Sequence, residues 1–138
     1  MLKLTTAIAV LTLFAAPAFA QGAGDAAKGE KVFNKCKSCH MVGEGAKAKV
    51  GPPLNGVVGR QIASVEGYKY GKSIQALGET GAQWTEEELF AYLENPKDYL
   101  RTKLDDKKAK SKMAFKLKGE DDRRDVIAYL ATFPAETN

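Results

Sequence analysis

Apolar residues recur at helical spacing in several short stretches of this chain, and no stretch sustains the two-residue alternation of a strand. The first of these stretches runs from 25 to 36, where Asp25 is a suitable N-cap and the later apolar residues share one face. Gly29 lies on that face, four residues before Phe33. A glycine there could simply be tolerated, although it makes the helix less stable than alanine would by about 1 kcal/mol. Alternatively, the close approach of another backbone requires it. We favour the second interpretation.

The later helices are predicted mainly from their ends. Thr85 and Glu88 have the spacing of a capping box, and Gly78 marks the end of a short helix. Pro96 stops one helix and suits the first position of the next. The predicted limits are about 73–77, 85–95, 96–104 and 121–133. The pattern predicts an all-α domain of four or five short helices, whose own core is too small for a stable fold unless another apolar group completes it.

The first twenty residues have a different character from the rest. Lys3 precedes an apolar run over 7–16, and Ala18-Phe19-Ala20 is a typical signal-peptidase site. The alternative is a retained membrane anchor, but a membrane span needs about 20 apolar residues and this run is shorter. We therefore expect a cleaved signal peptide over 1–20, export to the periplasm, and a soluble domain over 21–138.

The segment 36–40, Cys-Lys-Ser-Cys-His, carries the candidate chemistry. The C-x-x-C-H pattern is typical of covalent haem c attachment, in which Cys36 and Cys39 bind the haem and His40 binds its iron. A disulfide, a thioredoxin-like redox pair and half of a zinc site are the alternatives. Zinc needs about four ligands, and the whole chain has two Cys and one His. A redox pair would follow a βαβ pattern, which is absent here.

A haem iron bound on one face by His40 needs a second axial ligand or remains open. The chain has no second histidine, and Met41 adjoins His40 and cannot reach the opposite face. Met113 is therefore the candidate by elimination. An ordinary core methionine, with an open or lysine-ligated iron, is the alternative. Ligation by Met and His favours electron transfer, because it raises the reduction potential and closes the iron to substrates.

The charge is modest overall but unevenly distributed. The chain has 21 Lys and Arg against 17 Asp and Glu, a formal charge of +4. Seven of the lysines fall within 103–118 and others flank the Cys-x-x-Cys-His segment. Such runs are usually solvated surface, but together they would steer acidic redox partners, whereas nucleic acid is not expected as a partner. The predicted docking residues are Lys35, Lys37, Lys97, Lys110 and Lys112.

Several further motifs occur in a fixed order along the chain. They are Gly24-Asp25, Gly29, Phe33, Gly51-Pro52, the 56–60 segment, Tyr70, the 84–87 and 92–96 segments, Met113-Ala114-Phe115 and the 126–130 segment. With the 36–40 motif, this order resembles the class I cytochromes c, most closely the bacterial cytochromes c2, over essentially the whole mature chain. The resemblance implies their fold, with short helices wrapped around one covalent haem c.

The resemblance also implies roles for individual residues. His40 and Met113 would be the axial iron ligands, and the Pro52 carbonyl would orient the His40 ring. Arg60, Tyr70 and Trp84 would hold a buried haem propionate, and Tyr92 would hydrogen-bond near the Met113 sulfur. Plain core packing is the alternative for the three aromatic residues. Pro53 departs from the family pattern, which often has asparagine there, and the stretch between Pro96 and Met113 is longer than in mitochondrial relatives.

The function implied is that of a monomeric one-electron carrier rather than an enzyme. It would shuttle electrons from a membrane cytochrome bc complex to a photosynthetic reaction centre, a terminal oxidase, or both. The alternative is a small peroxidase-like haem enzyme or a ligand sensor with a labile Met113, for which the chain offers no second histidine as an acid or base.

Overall fold

The structure, a computed structural model, describes residues 23–135. The helices in this range are α1 (Ala26–Phe33), α2 (Lys72–Glu79), α3 (Glu86–Glu94), α4 (Pro96–Lys103) and α5 (Glu120–Leu130). Over the same range, β-type pairing is limited to an isolated bridge between Gln61 and Gln83. The prediction of an all-α fold is confirmed. The predicted signal peptide lies outside the described residues, and within them no helix has the length and apolar character needed to cross a membrane.

The first and last helices cross at very close range. The backbone N–H of Asp25 donates to the Asp125 carboxylate at 2.7 Å, and the Phe33 and Tyr129 ring centroids lie 5.5 Å apart. A Cβ on Gly29 would lie 1.9 Å from the Asp125 carbonyl oxygen. The structure therefore agrees with the second interpretation of Gly29, because only a residue without a side chain lets the two backbones approach this closely.

Three helices start where the sequence predicts. The Asp25 carboxylate accepts from two backbone N–H groups of α1, and Thr85 Oγ1 accepts from the Glu88 N–H at 3.1 Å. Asn95 is extended and caps α4, with Pro96 in its first turn. These ends were predictable because capping is a local interaction between residues two or three positions apart.

The end of α2 differs from the prediction. The helix continues to Glu79, so Gly78 lies inside it rather than just beyond it. A Cβ on Gly78 would lie 2.2 Å from the Ile62 carbonyl oxygen. This glycine is therefore explained by close packing against the 62–63 backbone and not by the end of the helix.

The last helix is shorter than predicted at its C-terminal end. The α-helix ends at Leu130, and the chain continues in turns. In the first of these, the Tyr129 carbonyl accepts from the Thr132 N–H at 3.0 Å. Phe133 likewise donates to Leu130 at 3.1 Å. The apolar spacing continues to Phe133, but these bonds span three residues instead of four, as is common where a helix tightens at its end.

Glu88 joins α3 to α4. Its carboxylate accepts hydrogen bonds from the Tyr99 hydroxyl and from Lys103 Nζ, the latter at 2.5 Å. Partial burial acts to raise the pKa of Glu88, but the bonds from Lys103 and Tyr99 outweigh it and hold the pKa below its ordinary value. A complete capping box has two hydrogen bonds, one from the Glu88 N–H to Thr85 Oγ1 and one from the Thr85 N–H to the Glu88 carboxylate. Only the first is found between these residues, so the predicted capping box is half formed.

Replacing Glu88 by glutamine should lower the free energy of unfolding by about 1–2 kcal/mol near neutral pH. A carboxyl whose pKa is depressed by folding stabilises the fold above its unfolded pKa, and this contribution is lost as the pH falls through the folded pKa. The difference between the two proteins should therefore shrink in acid, as measured by thermal unfolding at neutral pH and at pH of about 3. Glu86→Gln, an exposed change in the same helical turn, is the control. A difference that stays constant into acid would contradict this role.

Candidate functional site

The 36–40 segment continues from the end of α1 in a series of tight turns. Cys36 donates to Phe33 at 2.8 Å, and the N–H groups of Cys39 and His40 both donate to the Cys36 carbonyl, at 3.1 and 2.9 Å. Such bonds keep residues three and four apart on one side of the chain, although the α-helix itself ends at Phe33.

Both cysteines are half-buried, and no disulfide joins them. Burial raises the pKa of the Cys36 thiol, with Lys35 acting in the opposite direction. No cluster of three or more His, Cys, Asp or Glu side chains that could bind a metal ion occurs between residues 23 and 135. The arrangement therefore does not support the zinc alternative, and it leaves two thiols and one imidazole on the same short segment.

The 51–52 segment packs closely against the His40 ring. Its Nδ1 lies 2.8 Å from the Pro52 carbonyl oxygen, and a Cβ on Gly51 would lie 2.3 Å from the ring carbon Cε1. Because a carbonyl can only accept, Nδ1 carries the proton and Nε2 is left with its lone pair. This is the state in which a histidine binds iron.

Burial lowers the pKa of His40 below its ordinary value. The hydrogen bond to Pro52 opposes this shift, and the nearby charges of Arg60 and Lys49 add to it. The imidazole is therefore neutral at neutral pH, as metal ligation requires. The sequence predicted the Pro52 contact but did not single out Gly51 as the residue on which the ring lies.

Side chains that bond to backbone groups help to hold the loop between His40 and α2 together. Asn55 makes a reciprocal pair with Gly43, accepting from its N–H at 2.7 Å and donating to its carbonyl at 2.8 Å. The Arg60 guanidinium donates to the carbonyls of Asn55 and Pro53, at 2.9 and 3.2 Å. Pro53, the departure from the family pattern, thus supplies an acceptor that does not depend on its side chain.

Arg60, Tyr70 and Trp84, which the resemblance assigned to one propionate, lie near one another. The backbones of Arg60 and Trp84 are joined by a 2.8 Å hydrogen bond from the Trp84 N–H. Burial raises the pKa of Tyr70, and the Arg60 charge partly offsets the shift. The Tyr70 hydroxyl accepts from the Val65 N–H at 3.1 Å. For the described residues, no acceptor is found for its own proton or for the Trp84 indole N–H.

These donors provide a test of whether the site suits a haem. A haem propionate is an anion that needs hydrogen-bond donors when it is buried. The Tyr70 hydroxyl and the Trp84 indole N–H can each donate a hydrogen bond, and the Arg60 guanidinium lies nearby. The two thiols and the free imidazole nitrogen match the other attachment points of a haem c. The residues present therefore fit this group.

Tyr92 lies near Ser111, which contacts the Met113 backbone. The Tyr92 ring is 9% exposed and lies 4.8 Å from the Trp84 ring, centroid to centroid. Burial raises the pKa of Tyr92, and the nearby Ser111 side chain acts in the opposite direction. Ser111 Oγ donates to the Met113 carbonyl at 2.9 Å, a contact that the sequence did not predict. A hydrogen bond from Tyr92 near the Met113 sulfur stays a prediction.

Met113 is half-buried and packs against the hydrophobic core. It lies in an irregular stretch, residues 104–119, that we call the Met113 segment. Its middle is fixed to the 69–73 region, where the Lys110 N–H donates to Ser73 Oγ at 3.0 Å and Lys112 Nζ donates to the Lys69 carbonyl at 2.6 Å. Phe115, beside it, is 40% exposed.

The predicted docking lysines differ in what they contact. Lys35 forms a 2.9 Å ion pair with Asp122, and Lys112 is bound to the Lys69 carbonyl. All five are exposed. The three whose amines have neither an ion pair nor a hydrogen bond inside the 23–135 range are Lys37, Lys97 and Lys110. Two of the five are therefore already engaged within the molecule, a difference that the sequence did not reveal.

Comparison with known proteins gives consistent results. The family model described as cytochrome c matches residues 26–134. The chain is 51% identical to cytochrome c2 of Rhodobacter capsulatus, with 95% of this chain and 96% of that protein covered. It is also 51% identical to cytochrome c-550 of Paracoccus denitrificans, with 90% and 83% covered. The solved structure of cytochrome c2 from Rhodospirillum centenum superposes with a TM-score of 0.77 at 46% identity, covering 80% of this chain and 99% of the other.

Proposed function

Because this chain belongs to the cytochrome c family and carries one covalently attached haem c as an electron carrier, we propose that it shuttles single electrons between membrane complexes in the periplasm. The donor would be a membrane cytochrome bc complex. The acceptor would be a photosynthetic reaction centre, a terminal oxidase, or both. The proposed chain organisation is a signal peptide over 1–20, cleaved after Ala20, and a cytochrome c domain over 21–138.

We assign the haem attachment to Cys36 and Cys39 and the axial positions to His40 and Met113. When bound, the haem supplies one-electron exchange between ferrous and ferric iron, with no bond made or broken. The observation that carries this assignment is the 2.8 Å contact between His40 Nδ1 and the Pro52 carbonyl, because it fixes the tautomer and leaves Nε2 free.

The remaining site residues hold the surroundings in place. Arg60, Tyr70 and Trp84 offer donors to a buried propionate, and each is itself positioned by backbone hydrogen bonds or packing. Ser111 holds the backbone of Met113, and Tyr92 lies beside Ser111. A preorganised polar shell of this kind needs little rearrangement when the charge on the iron changes, which favours rapid electron exchange.

Docking would depend on the exposed lysines around the site. Lys37 and Lys110 lie on the two segments that carry the proposed haem ligands, and neither has an ion pair in the part of the chain that the structure describes. Unpaired surface cations attract an acidic partner over about a Debye length and raise the encounter rate. The partner face proposed here is therefore acidic.

Reversing the charge of Lys110 should slow reduction of this protein by an isolated cytochrome bc complex. We expect Lys110→Glu to lower kcat/KM by roughly fivefold at low ionic strength, where steering is strongest, and to have little effect in molar salt. Quinol-dependent reduction, followed by the absorbance of the ferrous protein, measures this. Lys28→Glu makes the same charge change on α1, eight residues before Cys36, and should leave the rate nearly unchanged. Rates that are independent of salt and equal in both variants would contradict the proposal.

A further inference from the structure

The Met113 segment lacks regular secondary structure for sixteen residues. A backbone without a helix or strand ladder is positioned by the contacts at its ends and by a few side chains along it. The position of Met113 therefore depends on how firmly the chain is fixed on either side of it.

The C-terminal exit of the segment is fixed at Leu117. Its N–H donates to the Leu93 carbonyl of α3 at 2.8 Å, and its side chain is 4% exposed. Its carbonyl accepts from Arg123 of α5 at 2.9 Å, and the same Arg123 nitrogen donates to the Lys118 carbonyl at 2.8 Å. Leu117 is thus bound through its N–H, its carbonyl and its side chain.

Arg123 is an unusual residue for this position. It is 2% exposed, its guanidinium lies 4.2 Å from the Phe90 ring centroid, and no carboxylate pairs with it within the described chain. Its Nε atom also lacks a hydrogen-bond partner there. Burying a guanidinium without a counter-charge is unfavourable unless its bonds and ring contact compensate, so an apolar residue would be the simpler choice for packing alone.

The neighbouring Arg124 lies close to the same ring but holds nothing in the Met113 segment. Its guanidinium is 5.1 Å from the Phe90 centroid and pairs with Glu120 and Asp121 of its own helix. The two adjacent arginines therefore share a helix, a charge and an aromatic neighbour, and differ in whether they bind the segment.

We propose that Arg123 is a positioning residue for Met113, holding the exit of its segment against α3 and α5. Leu117 lies only four positions after Met113, so fixing Leu117 limits how far the methionine can withdraw. Arginine suits this role because one planar guanidinium can serve two carbonyls and remains charged at every physiological pH. The inference rests on the axial role proposed for Met113.

The test measures how easily Met113 is displaced. In the purified ferric holoprotein, added imidazole competes with Met113, and the loss of the weak far-red thioether-to-iron band reports the exchange. A lost pair of charge-assisted hydrogen bonds should favour opening of the segment by about tenfold, so Arg123→Leu should bind imidazole about tenfold more tightly. The imidazole affinity of Arg123→Lys should lie between those of the unaltered protein and Arg123→Leu. Arg124→Leu should have the affinity of the unaltered protein.

Amide hydrogen exchange separates positioning from general destabilisation. In Arg123→Leu, exchange should accelerate more at residues 112–116 than in α1. If Arg123→Leu does not fold, Arg123→Lys is compared instead. Unchanged imidazole affinity with an intact far-red band would overturn the role of Arg123 alone. A missing band in the unaltered protein would overturn the axial role of Met113 as well.

Discussion

Replacing Met113 by alanine should abolish the far-red band of the ferric protein and make the iron high-spin. Alanine has no donor atom, and Ser111 would then hold a backbone that presents no ligand. We also expect the reduction potential to fall, by an amount on the order of a tenth or more of the roughly 0.8 V range that axial ligands span. Absorption spectroscopy and a redox titration measure the two effects.

Met41→Ala is the matched control for this change. Met41 is half-buried like Met113 but follows His40 directly in the chain. Its replacement should preserve both the band and the potential. If Met113→Ala kept the band, or if the unaltered protein were high-spin, the iron would be open or bound by another residue. A peroxidase-like enzyme or a ligand sensor would then become the better interpretation.

Gly29→Ala should destabilise the holoprotein by on the order of 3 kcal/mol, at the upper end of the range for overpacking. Helix propensity alone predicts the opposite, a gain of about 1 kcal/mol. The added Cβ would lie 1.9 Å from the Asp125 carbonyl and 2.8 Å from the Tyr129 Cβ, so α1 and α5 must separate to accept it. Such a loss is a large part of the 5–15 kcal/mol that usually stabilises a domain.

Guanidinium unfolding of the ferric holoprotein, followed by fluorescence of Trp84, measures this loss. Glu30→Ala, an exposed change at the next position of α1, should alter the free energy of unfolding by less than about 0.5 kcal/mol. A stabilised Gly29→Ala would mean that the two helices have room to move apart without losing their contacts.

The helix starts were predictable because their determinants lie within a few residues of each other. Asp25, Thr85 and Asn95 each cap the helix that follows directly. The ends of α2 and α5 were predicted less well, for a different reason. Whether a glycine such as Gly78 ends a helix or packs against another segment depends on residues far away in the sequence, here Ile62.

The candidate site divides in the same way. The 36–40 motif and Met113 could be named because particular side chains carry the chemistry, and Pro52 could be named only through the family resemblance. Asn55, Ser111 and Arg123 could not be named, because their partners in these interactions are backbone groups. Every residue has a backbone carbonyl. The sequence therefore does not indicate which residue accepts a hydrogen bond from such a side chain.

The crossing of α1 and α5 also bears on the order of events during synthesis. The contact between Asp25 and Asp125 spans 100 residues, and α5 is the last of the described helices to be made. Phe33 cannot be buried against α5 until α5 itself has been synthesised. Cys36 and Cys39, which become half-buried in the finished fold, therefore remain open to covalent modification on a nascent chain that has not yet closed around them.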